Sequence, residues 1–130
     1  CKLLDKNINK IIIISHSQGT IIVGQVIRNL CNFGLDKVEY LKKIEIYCFA
    51  NCCSKMVYVR DNLPYMEHFA NEHDMIAKMG CNHDKDISEL IKIDGITFIK
   101  ENKYGHMFNS HYIDNFTTDY PDSRLNNYID

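Results

Sequence analysis

The segment of this sequence that could carry chemistry is Ser15-His16-Ser17-Gln18-Gly19, which directly follows four isoleucines, Ile11 to Ile14. Apolar side chains then recur at helical spacing over residues 20–31, so the segment joins a predicted strand, buried on both faces, to a predicted helix. A serine at the centre of so tight a turn is held in a strained conformation, as nucleophilic serines often are. The residues two before and two after it must be small, and here they are Ser15 and Gly19.

A serine hydroxyl is a weak nucleophile at neutral pH and needs a histidine base that a carboxylate orients. Asp74 follows the predicted strand at residues 66–70, and His106 follows the predicted strand at residues 95–99 and its loop. Carboxyl ends of parallel strands lie at one edge of a sheet, so these side chains are expected to meet Ser17 there. The simpler alternative is an ordinary strand-to-helix loop whose serine caps the helix.

Each assignment has a rival in the sequence. Glu72 precedes Asp74 by two residues but points away if the loop is extended. His111 lies five residues after His106, within or past the predicted last helix, whereas His106 follows a glycine at the tip of a loop. His16 belongs to the turn itself and is interpreted as a polar side chain packed near it. We favour Asp74 as the acid and His106 as the base, with His111 left open.

Three segments carry a family resemblance: ISHSQGT at residues 14–20, HFANEHDMIA at 68–77 and GHMFNSHYI at 105–113. Together they resemble the C-terminal half of an α/β-hydrolase, most of all lipase-like or esterase-like serine hydrolases. The resemblance implies that Ser17 is the nucleophile, Asp74 the acid and His106 the base, with the backbone N–H of Gln18 as one oxyanion-hole donor. It implies cleavage of small-molecule or lipid esters through an acyl-enzyme, with no organic cofactor or metal.

The sequence also departs from that family. Ser15 stands where the elbow motif has its first glycine, so the turn is expected to be slightly roomier. A hydrolase of this type needs about 200 residues or more, and the chain lacks an initiator Met, so it is expected to be half of a domain. A second oxyanion-hole donor would lie upstream. The alternative function is a catalytically inactive truncated hydrolase or an interaction module.

Strands that alternate with helices predict an α/β fold with a mainly parallel sheet of about four strands. Strands are expected at residues 10–15, 44–49, 66–70 and 95–99, and helices at 20–31 and 106–116, with one or two helical turns at 75–79. Residues 1–120 are expected to form the half-domain and the polar residues 121–130 a mobile tail. With the preceding strands absent, the first strand would be an edge, which makes self-association, or pairing with a missing N-terminal half, an expectation.

Composition narrows the class of partner. The chain has 130 residues, 45% of them hydrophobic, which is enough for one core. Fifteen basic against 17 acidic residues give a net charge of −2, which does not favour nucleic-acid binding. The longest wholly apolar stretch, Ile11 to Ile14, is far too short to span a bilayer. The compartment is left open, with the cytoplasm as a working expectation.

A zinc site is the lesser alternative. Candidate ligand types are concentrated within 17 residues: His68, His73, Asp74, Cys81, His83 and Asp84. Their spacing fits neither a structural zinc pattern nor the H-E-x-x-H motif of a catalytic one. The six cysteines have no regular spacing and are expected to be free thiols.

Overall fold

Four parallel strands form the central sheet of the protein. A computed structural model describes residues 5–35, 39–58, 62–83 and 90–129. In the sheet β1 (Ile11–His16), β2 (Ile44–Phe49), β4 (Tyr65–Asn71) and β6 (Ile96–Lys100) lie side by side in chain order, while β3 (Lys55–Met56) and β5 (Lys92–Ile93) form a separate parallel pair. The prediction of an α/β fold with a mainly parallel sheet of four strands is confirmed.

Helix α1 (Gly19–Asn32) follows β1 and covers one face of the sheet. Its apolar stripe faces the sheet, and Ile27 and Cys31 pack into a core that includes Ile46 and Met66. Gly34 ends the helical segment with a φ of +77°, and its N–H donates to the carbonyl of Cys31 at 2.8 Å. The predicted helix and its glycine stop are therefore both present.

The opposite face of the sheet carries an aromatic core. Phe49 and Phe69 stack with ring centroids 4.7 Å apart, and Phe116 and Tyr120 pack against Phe69 from the C-terminal elements. Aromatic pairs in such offset and edge-to-face arrangements stabilise a core beyond the area that they bury. This face therefore anchors the C-terminal segments, including the loop that contains His106.

The last helix differs from the single helix expected at residues 106–116. The chain forms a π-helix at Phe108–Ile113 and then a short α-helix, α2, at Phe116–Asp119. Met107 is still extended, and the N–H of Asp114 donates to the carbonyl of Asn109 five residues earlier. Apolar residues every four positions fit both helix types, so periodicity alone does not distinguish them.

The C-terminal residues 121–129 pack against the sheet, whereas their composition predicts a mobile tail over residues 121–130. A 3₁₀-helix spans Arg124–Tyr128, and the side chain of Leu125 within it is buried. The hydroxyl of Ser123 and the N–H of Arg124 donate to the carboxylate of Glu67 at 2.6 and 2.9 Å. The polar groups of this segment thus bind a buried acid. Of residues 121–130, only Asp130 lies outside the described residues.

Strand β1 forms one edge of the described sheet. Its only strand neighbour there is β2, and the side chains of Ile12 and Ile14 are 38% and 52% exposed. The strand is therefore not buried on both faces, which corrects that part of the sequence prediction. Its place at the edge of the described sheet agrees with the other expectation for this strand. Among the described helices, none has the length and apolar character needed to cross a bilayer.

His68, in the middle of β4, makes stability depend on pH. Its Nδ1 accepts from the amide of Asn51 at 3.0 Å and its Nε2 donates to the carbonyl of Asp94 at 2.8 Å. Burial lowers the pKa of His68 below its ordinary value of 6.5. The unfolded chain therefore takes up a proton near pH 6.5 while the folded chain does not, so the free energy of unfolding should decrease as pH falls below that value.

We expect this decrease to approach about 1.4 kcal/mol per pH unit for one proton. Urea unfolding at several pH values between 5 and 8 measures it. A His68→Gln variant should show a shallower dependence, because the side chain no longer titrates. His16, whose pKa is also lowered by burial, is present in both proteins. Equal slopes in the two proteins would contradict the assignment to His68.

Candidate active site

Ser17 lies in the two-residue link between β1 and α1. Its φ of +53° is in the left-handed region, which costs energy for a residue with a side chain. The N–H of Ser17 donates to the carbonyl of Phe49 at 2.9 Å, and the Thr20 hydroxyl donates to the carbonyl of Ser17 at 2.6 Å. These bonds tie the strained turn to the end of β2 and to the first turn of the helix.

The two small residues beside the turn leave room. A Cβ placed on Gly19 would lie 3.8 Å from the Cβ of Ser15, which is an ordinary van der Waals contact. The hydroxyl of Ser15 is directed toward β2, where it donates to the sulfur of Cys48 at 3.3 Å. Burial raises the pKa of Cys48 to about 12, so this partner is a neutral thiol. Serine thus replaces glycine at position 15 without crowding the helix.

Ser17, His106 and Asp74 form a continuous line of hydrogen bonds. His106 Nε2 lies 3.0 Å from Ser17 Oγ, and His106 Nδ1 lies 2.9 and 3.1 Å from the two oxygens of Asp74. The Asp74 carboxylate is buried and can only accept, so Nδ1 carries the ring proton. The lone pair of Nε2 is then directed at the serine hydroxyl, and the imidazole can remove its proton.

Loops at the carboxyl ends of β4 and β6 position the candidate acid, Asp74, and the candidate base, His106. Asp74 follows the end of β4 by three residues, and its N–H donates to the carbonyl of Asn71 at 3.0 Å. Its Oδ1 accepts from the N–H of Ile76 at 2.9 Å, which fixes the carboxylate in its loop. Gly105, with a φ of +98°, precedes His106, and its carbonyl accepts from the side chain of Asn71 at 3.0 Å.

The two rival residues have other partners. Glu72 accepts from the N–H of Asn102 at 2.6 Å and is partly exposed. His111 accepts through Nδ1 from the N–H of Met107 at 2.9 Å, within its own helical turn. The structure therefore brings Asp74 and His106 to Ser17, and it places neither rival in that line of bonds.

His16 contacts the candidate base, His106, directly. Its Nε2 donates to the backbone carbonyl of His106 at 2.7 Å, and the two imidazole centroids are 4.6 Å apart. Burial lowers the pKa of His16, which favours the neutral ring that can make this bond and lie beside a second imidazole. Sequence reasoning treats this residue only as a polar neighbour of the turn. A pairing across 90 residues has no local signal that could have indicated it.

Gln18 is the N-cap of α1, so its backbone N–H precedes the hydrogen-bonded ladder of the helix. The helix is 14 residues long, and the positive end of its dipole lies at the turn that holds Ser17. A negative charge that develops next to Ser17 Oγ would be stabilised by this N–H and by the dipole.

The candidate zinc ligands among the described residues do not come together. Within the ranges that the structure describes, no three side chains of His, Cys, Asp or Glu are arranged to hold a metal ion. His83 bonds to the carbonyl of Gly80 through Nδ1 at 2.9 Å, His68 is occupied in β4 as described above, and Asp84 lies outside the described residues. The cysteines of the described residues form no disulfide.

An apolar groove of about 450 Å³ runs beside β1. Its walls come from that strand, the π-helix and the C-terminal 3₁₀-helix, and they include Ile12, Ile14, Phe108, Ile113, Leu125 and Tyr128. Phe108 lines the groove, and its ring also packs against that of His16, with centroids 5.5 Å apart.

No protein-family model, curated protein or solved structure matches the chain in sequence or structure comparisons.

Proposed function

We propose that this protein is a serine hydrolase of the α/β-hydrolase type that cleaves carboxylic esters. The observation that carries the proposal is the line of bonds from Ser17 through His106 to the buried Asp74. A helix-capping serine needs no base, and an ordinary loop histidine needs no buried carboxylate. The three residues together, at the carboxyl edge of a parallel sheet, are what acyl transfer by a serine requires.

In the first half-reaction Ser17 Oγ attacks the acyl carbonyl carbon while its proton passes to His106 Nε2. The C–O bond to the leaving alcohol then breaks, and His106 returns that proton to the leaving oxygen. In the second half-reaction His106 removes a proton from water, which attacks the acyl carbon. The bond from Ser17 Oγ to the acyl carbon then breaks, and His106 passes its proton to Oγ, which releases a carboxylic acid and free Ser17. Asp74 stays ionised, holds the ring tautomer and stabilises the imidazolium that forms in each half.

The surroundings of the triad support an ester with an apolar group. Met75 follows Asp74 and Met107 follows His106, and their side chains are 72% and 66% exposed. Two large, exposed apolar side chains that adjoin Asp74 and His106 in the chain offer contact area to an acyl chain or an apolar alcohol. The connection from β2 to β4 is short where lipases often insert a lid, which favours a small or accessible ester.

Labelling with a fluorophosphonate probe tests the proposal, because the probe phosphonylates only a serine that a base activates. We expect the wild-type protein to be labelled and to hydrolyse a short p-nitrophenyl ester, and Ser17→Ala to lose both properties. Ser110→Ala is the matched control, since Ser110 is an exposed serine of the π-helix, and it should behave as the wild type. A folded wild-type protein without labelling or hydrolysis would overturn the proposal.

A second candidate is a non-catalytic interaction module. The observation that favours it is the exposure of β1, whose isoleucines and adjoining apolar groove form a surface that a partner segment could cover. The labelling experiment separates the two candidates, because a module that only binds through β1 does not need an activated Ser17. Two results together would favour the module. The protein would stay unlabelled by the probe, and in size-exclusion chromatography it would elute as a complex that Ile14→Lys no longer forms.

A further inference from the structure

The side chain of Tyr112 contacts the candidate acid, Asp74. Its hydroxyl lies 2.6 Å from Asp74 Oδ2, the same oxygen that accepts from His106 Nδ1 at 2.9 Å. The residue is fully buried in the aromatic core beneath the loops. A buried hydroxyl with a charged acceptor at this distance forms a strong hydrogen bond.

The direction of the hydroxyl proton follows from its second partner. The backbone N–H of Asn71, at the end of β4, donates to the Tyr112 oxygen at 3.1 Å. An amide N–H can only donate, so the oxygen must accept there, and its single proton is left for Asp74. Burial raises the pKa of Tyr112, and its bond to Asp74 raises it further, so the hydroxyl keeps this proton at any working pH.

The π-helix brings the hydroxyl to this point. Tyr112 lies within Phe108–Ile113, where the wider turn is closed by the bond from Asp114 to Asn109. Such turns are rare and occur often at functional sites. The same turn is tied to the base loop, because the Asn71 amide donates both to the carbonyl of His111 and to that of Gly105 at 3.1 and 3.0 Å.

We propose that Tyr112 is a positioning residue, which orients the Asp74 carboxylate toward His106 and withdraws part of its negative charge. The proposal rests on the proposed function for its catalytic consequence. The N–H groups of Ile76 and Ala77 also donate to Asp74. Loss of the tyrosine hydroxyl therefore leaves the carboxylate in its loop but orients it less firmly. The His106 ring is faced by Asp74, Ser17 and His16, with His111 next to the preceding glycine.

The test compares Tyr112→Phe with Tyr58→Phe. The first removes the hydroxyl that donates to Asp74, and the second removes another buried hydroxyl, which donates to the carbonyl of Gly24 on the other face of the sheet. For Tyr112→Phe we expect kcat to fall by about tenfold at unchanged KM, because the base is less well aligned. The acidic limb of the pH profile should move up by about half a pH unit, since a more negative Asp74 holds the imidazolium more strongly.

A second measurement does not depend on ester hydrolysis, so it tests the role of Tyr112 independently of the proposed function. The titration midpoint of the His106 ring, followed by NMR, should rise in Tyr112→Phe and stay at the wild-type value in Tyr58→Phe. A rise in a protein that does not hydrolyse esters would support the positioning contact and reject the hydrolase. A Tyr112→Phe protein that is folded and has the wild-type midpoint, kcat and acidic limb would overturn the proposal.

Discussion

Asp74→Asn is expected to lower kcat for ester hydrolysis by about 10⁴-fold, while the protein stays folded. An amide nitrogen can donate to His106 Nδ1, and the ring proton then moves to Nε2. In that tautomer the ring has no lone pair to offer Ser17 Oγ, 3.0 Å away, and the hydroxyl cannot be deprotonated. The loss arises from the wrong tautomer and from the missing negative charge beside the imidazolium, not from a change in substrate binding.

Steady-state kinetics on a p-nitrophenyl ester measure this effect, with kcat and KM determined separately. Asp119→Asn is the matched control, because Asp119 is a partly buried aspartate whose carboxylate pairs with Lys100 and Lys103 and not with Ser17, His106 or Asp74. It should change stability but leave kcat close to the wild-type value. Comparable kcat values for the two variants would contradict the role assigned to Asp74.

The predicted strands and the turn at Ser17 depend on local patterns. Four consecutive isoleucines before a serine, and apolar residues at helical spacing after it, determine β1 and α1 without any long-range information. The meeting of Asp74 and His106 with Ser17 is long-range, yet it follows from a single rule, since the carboxyl ends of parallel strands share one edge. The four-stranded parallel sheet, and the choice of Ser17, Asp74 and His106 as residues that meet at its edge, could therefore be predicted from the sequence.

The contacts that surround these three residues could not be predicted from the sequence in the same way. The bonds from Tyr112 to Asp74 and from His16 to the His106 carbonyl join residues far apart in the chain, and each residue type alone indicates only a core or a turn position. A period of four residues likewise does not reveal a π-helix. The C-terminal residues have a polar composition typical of a tail, and their order depends on two acids that lie in distant strands.

Those acids are buried at the start of β2 and β4. Glu45 accepts from Lys10, Tyr47, Tyr128 and Arg124. Burial alone raises the pKa of Glu45, but these hydrogen bonds outweigh burial and hold it at about 2. Glu67 is fully buried beside it. The ionised form of Glu45 therefore stabilises the fold above about pH 4.5, and this stabilisation is lost as pH falls toward 2.

Glu67→Ala is expected to lower the free energy of unfolding by about 3 kcal/mol or more. The Glu67 carboxylate accepts from the hydroxyls of Ser123 and Tyr65, each at 2.6 Å, and from the N–H of Arg124 at 2.9 Å. Truncation leaves these donors without their acceptor and leaves a cavity, whereas Glu67→Gln keeps one carbonyl oxygen and should cost less. Urea unfolding measures the differences, and Glu39→Ala, at an exposed surface residue, should leave stability nearly unchanged.

Trypsin distinguishes a local from a global effect of the same substitution. Arg124 is a trypsin site, and in the wild-type protein its side chain lies over the Tyr65 ring, 3.5 Å from the centroid, and pairs with Glu45 at 3.2 Å. Once Glu67 no longer holds the N–H of Arg124, the 3₁₀-helix should open and be cut before the sheet unfolds. If the bond after Arg124 is cut equally fast in wild type and Glu67→Ala, the carboxylate does not hold this segment.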